Sequence, residues 1–552
     1  MILAALNSGQ IAVAVIAVYM LALVILGVGT GRLFRGTAAD FFVASRGIGS
    51  FLLLMSLFGT TMTSFAIIGS SGQAFARGIG VYGQMVSWSG IFHSFCFFLV
   101  GIKLWSYGKR YGYVTQIQFF RDRFDSDKLG LLLFPALVGL VVPYLLMGVI
   151  GGATTMEKIT AGAFPDLFPA HGQGPAAVAA GSVPFWLCGL IICVVVLIYV
   201  FLGGVRAAAW ANALQTIIFI VLGIVTFLVI SEKLGGVRQA TANVIEYNPS
   251  FLKVAATEDD ERTYQEKLAA FEAGTSPIKP RHPQEIPPLV FLTYLFIPFS
   301  VAMFPHLFQH WLTAKSARAF RLSVVLHPIL MMLTWFPCVM IGVWATSAVV
   351  NGKAVIPPDF ANQNAVLGIM VNKLAPPIMG GLLTAGVLAA IMSSLDSQFL
   401  CLGTIFTTDI VNHYVEHDRL SDRSIVLLGR TFTVAIVIVT YGLSLLYRGS
   451  SVFKLGIWCF TGFAALSPLV FAALYWRRAT KMGAYACVIT AAAVGLYFFS
   501  RADLAAGEES ALVGGVMPVA WVMAASTAAM VAVSLVTRPP RPQTLNKFFA
   551  PR

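Results

Sequence analysis

Charge is scarce in this chain. Asp, Glu, Lys and Arg make up 11% of its 552 residues, against 58% hydrophobic residues and a mean hydropathy of +0.81, a balance that excludes a water-soluble domain. Cysteine is sparse as well: Cys96, Cys188, Cys193, Cys338, Cys401, Cys459 and Cys487 all fall inside apolar runs, which excludes a disulfide framework and a zinc-ligand spacing. The first apolar run lacks a basic flank and a clear cleavage site, so it reads as a retained helix and not as a leader. No extramembrane stretch suits a soluble catalytic or sensor domain. The longest, 232–287, reads as an external cap with a short amphipathic helix in 255–275, ended by the proline-rich stretch Pro277–Pro283. Neither a His-x-x-x-His metal spacing nor a Ser/His/Asp set stands out, which argues against an enzyme. No pore-lining ring or carbonyl filter is visible, which argues against an open channel.

What is present is a polytopic, all-α membrane pattern. Thirteen apolar spans are expected, at 11–31, 50–72, 81–104, 131–157, 183–203, 210–231, 288–304, 322–349, 378–404, 426–447, 451–475, 482–499 and 515–536. Segments on one side of them hold 21 of the 37 Lys and Arg, and the short loops on the other hold seven. The basic side faces the cytoplasm, which puts the N-terminus outside and the C-terminus inside. That asymmetry accounts for the net charge of +13, with no need of a nucleic-acid partner.

Two spans look broken. Span two carries Gly59-Thr60-Thr61-Met62-Thr63-Ser64 at its middle, and span seven carries Pro298. Interruptions at corresponding positions of two five-helix halves point to an inverted-repeat transporter with its sites at the midplane, because unwound backbone at that depth persists only where it lines a cavity or binds something. Span nine supplies the oxygens. Ala390, Ser393, Ser394 and Ser397 share one narrow face of a helix, with Asp396 on its flank, and such hydroxyl, carbonyl and carboxylate donors suit a hard cation such as Na⁺.

These residues, with others around them, resemble the sodium:solute symporter family over about residues 36–490. The markers are Phe41-Phe42-Val43-Ala44-Ser45-Arg46; Gly203–Gln215 around Trp210-Ala211-Asn212; Leu234-Gly235-Gly236; Phe304-Pro305-His306-Leu307-Phe308-Gln309-His310 leading to Ala314-Lys315-Ser316; Ser393-Ser394; and Leu474–Thr480. The resemblance implies a leucine-transporter-like 5+5 inverted repeat working by alternating access, as a Na⁺-coupled symporter of a small organic solute in the cell membrane. It implies a first repeat at 50–231, an external loop at 232–287 and a second repeat at 288–476. An extra N-terminal helix with its loop occupies 1–49, and two extra helices with a short tail occupy 477–552. It also implies a sodium site joining spans two and nine, formed by the carbonyls of Gly59, Met62 and Ala390 and the hydroxyls of Ser393 and Ser394.

The family's usual acid after Trp-Thr is replaced here by Asn212, and an acid stands instead at Asp396, beside Ser397. Three readings stay open for Asp396: a second cation site with Asn212 and Ser397, a proton site, or a structural pair with Arg430. An ionisable group at membrane depth is a functional candidate by default. The solute pocket is expected to be lined by Thr63, Ser64, Phe65, Gln84, Ser87, Thr154, Tyr294 and Ser300. Phe304-Pro305-His306 looks most like the monocarboxylate and pantothenate branch. A proton-coupled carrier of the same fold and a channel-like sodium/solute protein are the alternatives.

Overall fold

The structure, a computed structural model, describes residues 6–31, 46–170, 178–415, 421–503 and 507–549. Residues 41–45 of the first family marker lie outside them. Ten described helices are long and apolar enough to cross a membrane. Two further crossings are bent pairs, Ser50–Thr61 with Phe65–Arg77 at 59° and Pro288–Ala302 with Pro305–Thr313 at 53°. The expected span 183–203 corresponds to the shorter apolar arm Phe185–Phe201.

That arm and the next, Ala208–Lys233, belong to one helical run, Phe185–Lys233. A straight helix would hold Ile192 and Leu222 about 45 Å apart. Yet Leu222 packs on Gly386 while Ile192 and Leu388 both lie against Gly152, so the two arms lie side by side and antiparallel along span nine. The Gly203-Gly204 pair falls between them.

Span nine, Pro377–Ile405, is the axis of the fold. In the most apolar windows of spans nine and eleven 83% of residues are buried, against 28% in spans one, ten and thirteen, which therefore form the rim facing lipid. Close approach depends on small residues, as is usual where helices pack without a hydrophobic drive. A Cβ on Gly151 of span four would sit 2.7 Å from Ser64 Cβ, so only glycine lets the broken span lie there. The long segment 232–287 holds Val237–Tyr247 and a helix Glu258–Glu272, inside the expected 255–275, whose Thr257 and Asp260 form a reciprocal capping box. A two-stranded hairpin, Val349–Val350 with Lys353–Ala354, lies between spans eight and nine.

Candidate functional site

Span two breaks where its sequence stops favouring a helix. Thr61 turns its hydroxyl back onto the carbonyls of Leu57 (3.0 Å) and Phe58 (2.9 Å), and Met62 then leaves helical geometry at φ −86°, ψ 86°. The chain restarts when Thr63 Oγ1 accepts the Phe65 N–H at 3.1 Å, followed by a π-turn over Phe65–Gly69. Among the described residues no backbone N–H bonds the carbonyls of Gly59, Thr60, Thr61 or Met62, so the break leaves a row of buried acceptors.

The break of span seven is not at Pro298. That proline lies inside a 3₁₀ stretch, Tyr294–Ala302, and the helix ends at Met303-Phe304 instead. The physical reason is Pro305. It occupies the first position of the next helix, where its missing N–H costs nothing, and it forces the residue before it out of the helical region, so Phe304 sits at φ −63°, ψ 116°. The span consequently continues to Thr313, beyond the expected 304. The two breaks meet around Phe460 of span eleven, whose ring lies 5.0 Å from Phe65 and 5.6 Å from Phe304.

Span nine faces the first break with its hydroxyl stripe. Ser393 Oγ lies 2.8 Å from the Gly59 carbonyl and 2.9 Å from the Ala390 carbonyl, which brings three of the five expected ligands to one point. Ser394 is buried one residue on, and its hydroxyl accepts from Gln398 at 2.8 Å. Met62 lies at the break itself, fully buried. A Cβ at Gly59 would come within 2.4 Å of Thr216 Oγ1 and 3.5 Å of Ser393 Oγ, so a larger residue there displaces the oxygens. The donor set is entirely oxygen and fits a hard monovalent cation.

One helical turn toward the other end of span nine lies a second cluster, around Asp396. In the amide orientation that satisfies every neighbour, Asn212 donates to both carboxylate oxygens, at 2.8 and 3.0 Å, and accepts from Ser397 (2.9 Å) and Thr60 (3.3 Å). Tyr199 donates its hydroxyl to Asp396 Oδ2 at 3.1 Å, and Ser397 Oγ lies 3.0 Å from Oδ1, its one proton shared between that oxygen and Asn212. Thr60 Oγ1 reaches Ser397 Oγ at 2.7 Å, and His310 Nε2 lies 3.0 Å from the same oxygen. The expected grouping of Asn212, Asp396 and Ser397 is therefore a physical one. The pairing with Arg430 is not: that guanidinium donates to the Phe201 carbonyl, while uncharged donors surround Asp396.

A model of the sodium:solute symporter family matches residues 41–163 and 182–491. The chain belongs to the sodium:solute symporter family. It is 23% identical over 535 residues to a sodium/proline symporter of Haemophilus influenzae, covering 96% of this chain and 95% of that one. To the sodium/pantothenate symporter of Escherichia coli it is 23% identical, with 82% of each covered. Among solved structures it is similar to a Na⁺-coupled sialic acid symporter in a substrate-bound outward-open state, at a TM-score of 0.71 and 16% identity over 97% of this chain and 100% of that one. An inward-facing Mhp1 gives a TM-score of 0.53 at 11% identity, over 91% and 94% of the two chains. The fold is thus the leucine-transporter-like inverted repeat, and the protein is a multi-pass, Na⁺-coupled solute symporter that works by alternating access.

For this symporter the structure sorts the remaining expected residues. Ser64 donates to the Met147 carbonyl at 2.7 Å, Phe65 stacks on Phe453 at 4.8 Å, and Thr63 and Thr154 are buried. Gln84, Tyr294 and Ser300 are buried where span three packs on the first arm of span seven. Ser87 is a correction: it is exposed, because the buried stripe of its helix runs through Val81, Gln84, Met85 and Ser89, and Ser87 falls off that face. Tyr199 and His310 were missed, since each comes from a separate span. Missed too was the i, i+4 pair His306 and His310. The two rings serve different neighbours, and no third His, Cys, Asp or Glu joins them as a metal set among the described residues. His306 is buried against Phe304 (5.2 Å) and Tyr144 (5.3 Å), with neither ring nitrogen hydrogen-bonded.

Proposed function

We propose that the coupling Na⁺ is held by the carbonyls of Gly59, Met62 and Ala390 and the hydroxyls of Ser393 and Ser394. The observation that carries this is the Ser393 hydroxyl, which already spans Gly59 of the broken helix and Ala390 of span nine. A cation there exchanges that hydrogen bond for shared coordination and ties the two helices together. The solute then lies at the junction of the breaks, against Thr63, Ser64, Phe65 and Thr154, with Gln84, Tyr294 and Ser300 toward the external end. His306 supplies polar contact, since its two unpartnered nitrogens offer one donor and one acceptor. Ordering of span two by Na⁺ completes this pocket, so each ligand raises the affinity for the other.

Asn212, Asp396, Ser397 and Thr60 form a second cation site in this reading. It bears on energetics. One Na⁺ entering down ~100 mV contributes ~2.3 kcal/mol, and a tenfold gradient adds ~1.4 kcal/mol. For a monocarboxylate, entering with one Na⁺ cancels the electrical part, and a second cation restores it. A monocarboxylate or similar small acid suits the exposed N–H groups of the half-helices that restart after the breaks. His310, beside Ser397, also offers a proton path to Asp396, which is the competing proton-coupled reading. The protein sits in the plasma membrane with its N-terminus outside and its C-terminus cytoplasmic, following the Lys and Arg asymmetry, and divides as 1–49, 50–231, 232–287, 288–476 and 477–552.

The test is a thermal-shift screen of the purified protein in Na⁺ against choline, crossed with monocarboxylates, pantothenate, amino acids, sugars and urea. Ligands that bind the folded state raise its apparent stability by mass action. A Na⁺-specific shift that grows with a monocarboxylate supports the reading. A Na⁺-specific shift that grows only with another class overturns the solute, and the absence of any Na⁺ effect overturns the cation site.

A further inference from the structure

A lateral crevice of about 250 Å³ opens between spans six and eight, with span nine as its floor. Its mouth is formed by Ile224, Leu333 and Phe336, which are 51, 58 and 44% exposed. Both flanking helices carry exposed apolar stripes at helical spacing, Ile217, Val221, Ile224 and Leu228 on one and Val325, Ile329, Met332, Leu333 and Phe336 on the other. The crevice is thus continuous with the hydrocarbon-facing belt. Inside, Gly223 has open space where a Cβ would stand. The crevice lining carries two hydroxyls: Thr226 of span six is turned back to its own helix at Leu222 O (2.6 Å), and Thr334 of span eight is the other. Water has too few polar partners to occupy such a space, which is larger than apolar cavities known to stay dry.

We infer that this crevice is a binding site for one acyl chain of a membrane phospholipid, inserted from the bilayer past Gly223. The occupant is a hydrocarbon chain because the mouth lies in the lipid belt and offers nothing to a polar headgroup. Its inner end meets Ile67, just past the break of span two, and Leu383 and Val387 of span nine, within two turns of Ala390. The chain therefore touches both elements that the proposed Na⁺ site joins. The site stands whether or not that assignment holds, because labelling reads it directly.

The protein is reconstituted in liposomes containing a phospholipid with a photoreactive diazirine on one acyl tail, illuminated, and its labelled peptides mapped. Labelling is expected to concentrate on 219–226, 330–341 and 383–387, and Gly223→Phe is expected to lower it there about tenfold. The outer face of span twelve around Leu496, a lipid-facing control, keeps its labelling. Leu333→Trp narrows the mouth from the lipid side and gives the same loss without a change inside the bundle. It decides the matter if Gly223→Phe loses the Na⁺-dependent thermal shift that marks a folded protein. Labelling of the crevice no denser than at Leu496, or unchanged labelling in the folded variants, overturns the inference.

Discussion

Removal of the Ser393 hydroxyl is the sharpest perturbation of the proposed Na⁺ site. Ser393→Ala deletes one ligand and takes from the Gly59 carbonyl the hydrogen bond that ties it to span nine. A contact of a polar group with a charge contributes about 1.5–3 kcal/mol, and each ~1.4 kcal/mol is tenfold. The half-saturating Na⁺ concentration should therefore rise at least tenfold. Thermal stability reads the same loss independently. At a Na⁺ concentration of ~100 times the dissociation constant, binding stabilises by ~2.7 kcal/mol, and a tenfold weaker site leaves ~1.4 kcal/mol, so the Na⁺-induced shift should fall by about half. The control is Thr216→Val, which removes a comparable buried bond to the Met55 carbonyl at 3.0 Å, one turn earlier on span two. Both variants lose intrinsic stability, and only Ser393→Ala should lose Na⁺ affinity. An unchanged half-saturating concentration in Ser393→Ala, with reduced abundance alone, refutes the assignment.

Gly59→Ala should be destabilised by about 2 kcal/mol by overpacking and should abolish Na⁺-dependent uptake, because its Cβ would meet Thr216 Oγ1 at 2.4 Å. The double variant Gly59→Ala/Thr216→Ala should regain uptake, and failure to do so would mean that the clash lies elsewhere. Asp396→Asn should lower the ratio of charge to solute moved, measured as current against tracer uptake in the same proteoliposomes, by one charge. If the ratio stays the same in Na⁺ while uptake loses its response to a pH gradient, the carboxyl carries a proton instead.

Sequence alone located the spans because hydrocarbon thickness imposes a run of about 20 apolar residues, and that signal survives without neighbours. The break of span two was legible for a local reason: a glycine and three threonines in five residues compete with the helix from within. The break of span seven was misplaced because Pro298 and Pro305 look alike in sequence, and only the first position of a new helix makes a proline harmless. Ser87 was misplaced because at 100° per residue it falls well over a quarter turn from the middle of its helix's buried stripe, which a count of polar residues does not resolve. Of the carboxylate network, Asn212, Asp396 and Ser397 were grouped in advance by resemblance, whereas Thr60, Tyr199 and His310 stayed hidden because they come from three other spans. They share no spacing, and only the fold brings them within 3.4 Å of that trio or of one another.

The two clusters are not independent, and their sharing of residues predicts how they respond together. Ser393 turns its hydroxyl to Gly59 in the first, while its carbonyl lies 3.4 Å from Thr60 Oγ1 and 3.3 Å from Ser397 Oγ in the second. Gly59 and Thr60 are adjacent on the other wall, so movement of the broken helix shifts ligands of both clusters at once. Groups in one such network show interaction energies of about 0.5–3 kcal/mol, whereas distant pairs add to within ~0.5 kcal/mol. A double-mutant cycle of Ser393→Ala with Thr60→Val, read as Na⁺ affinity in the thermal-shift assay, should give a coupling of about 1 kcal/mol or more, roughly a fivefold departure from the product of the single effects. The cycle of Ser393→Ala with Ser526→Ala should add, since that buried hydroxyl bonds to Met523 on its own helix and to Ala465 of span eleven, neither of which belongs to either cluster. Equal additivity in the two cycles would mean that each cluster binds its ligand alone, and that span two transmits nothing from one to the other.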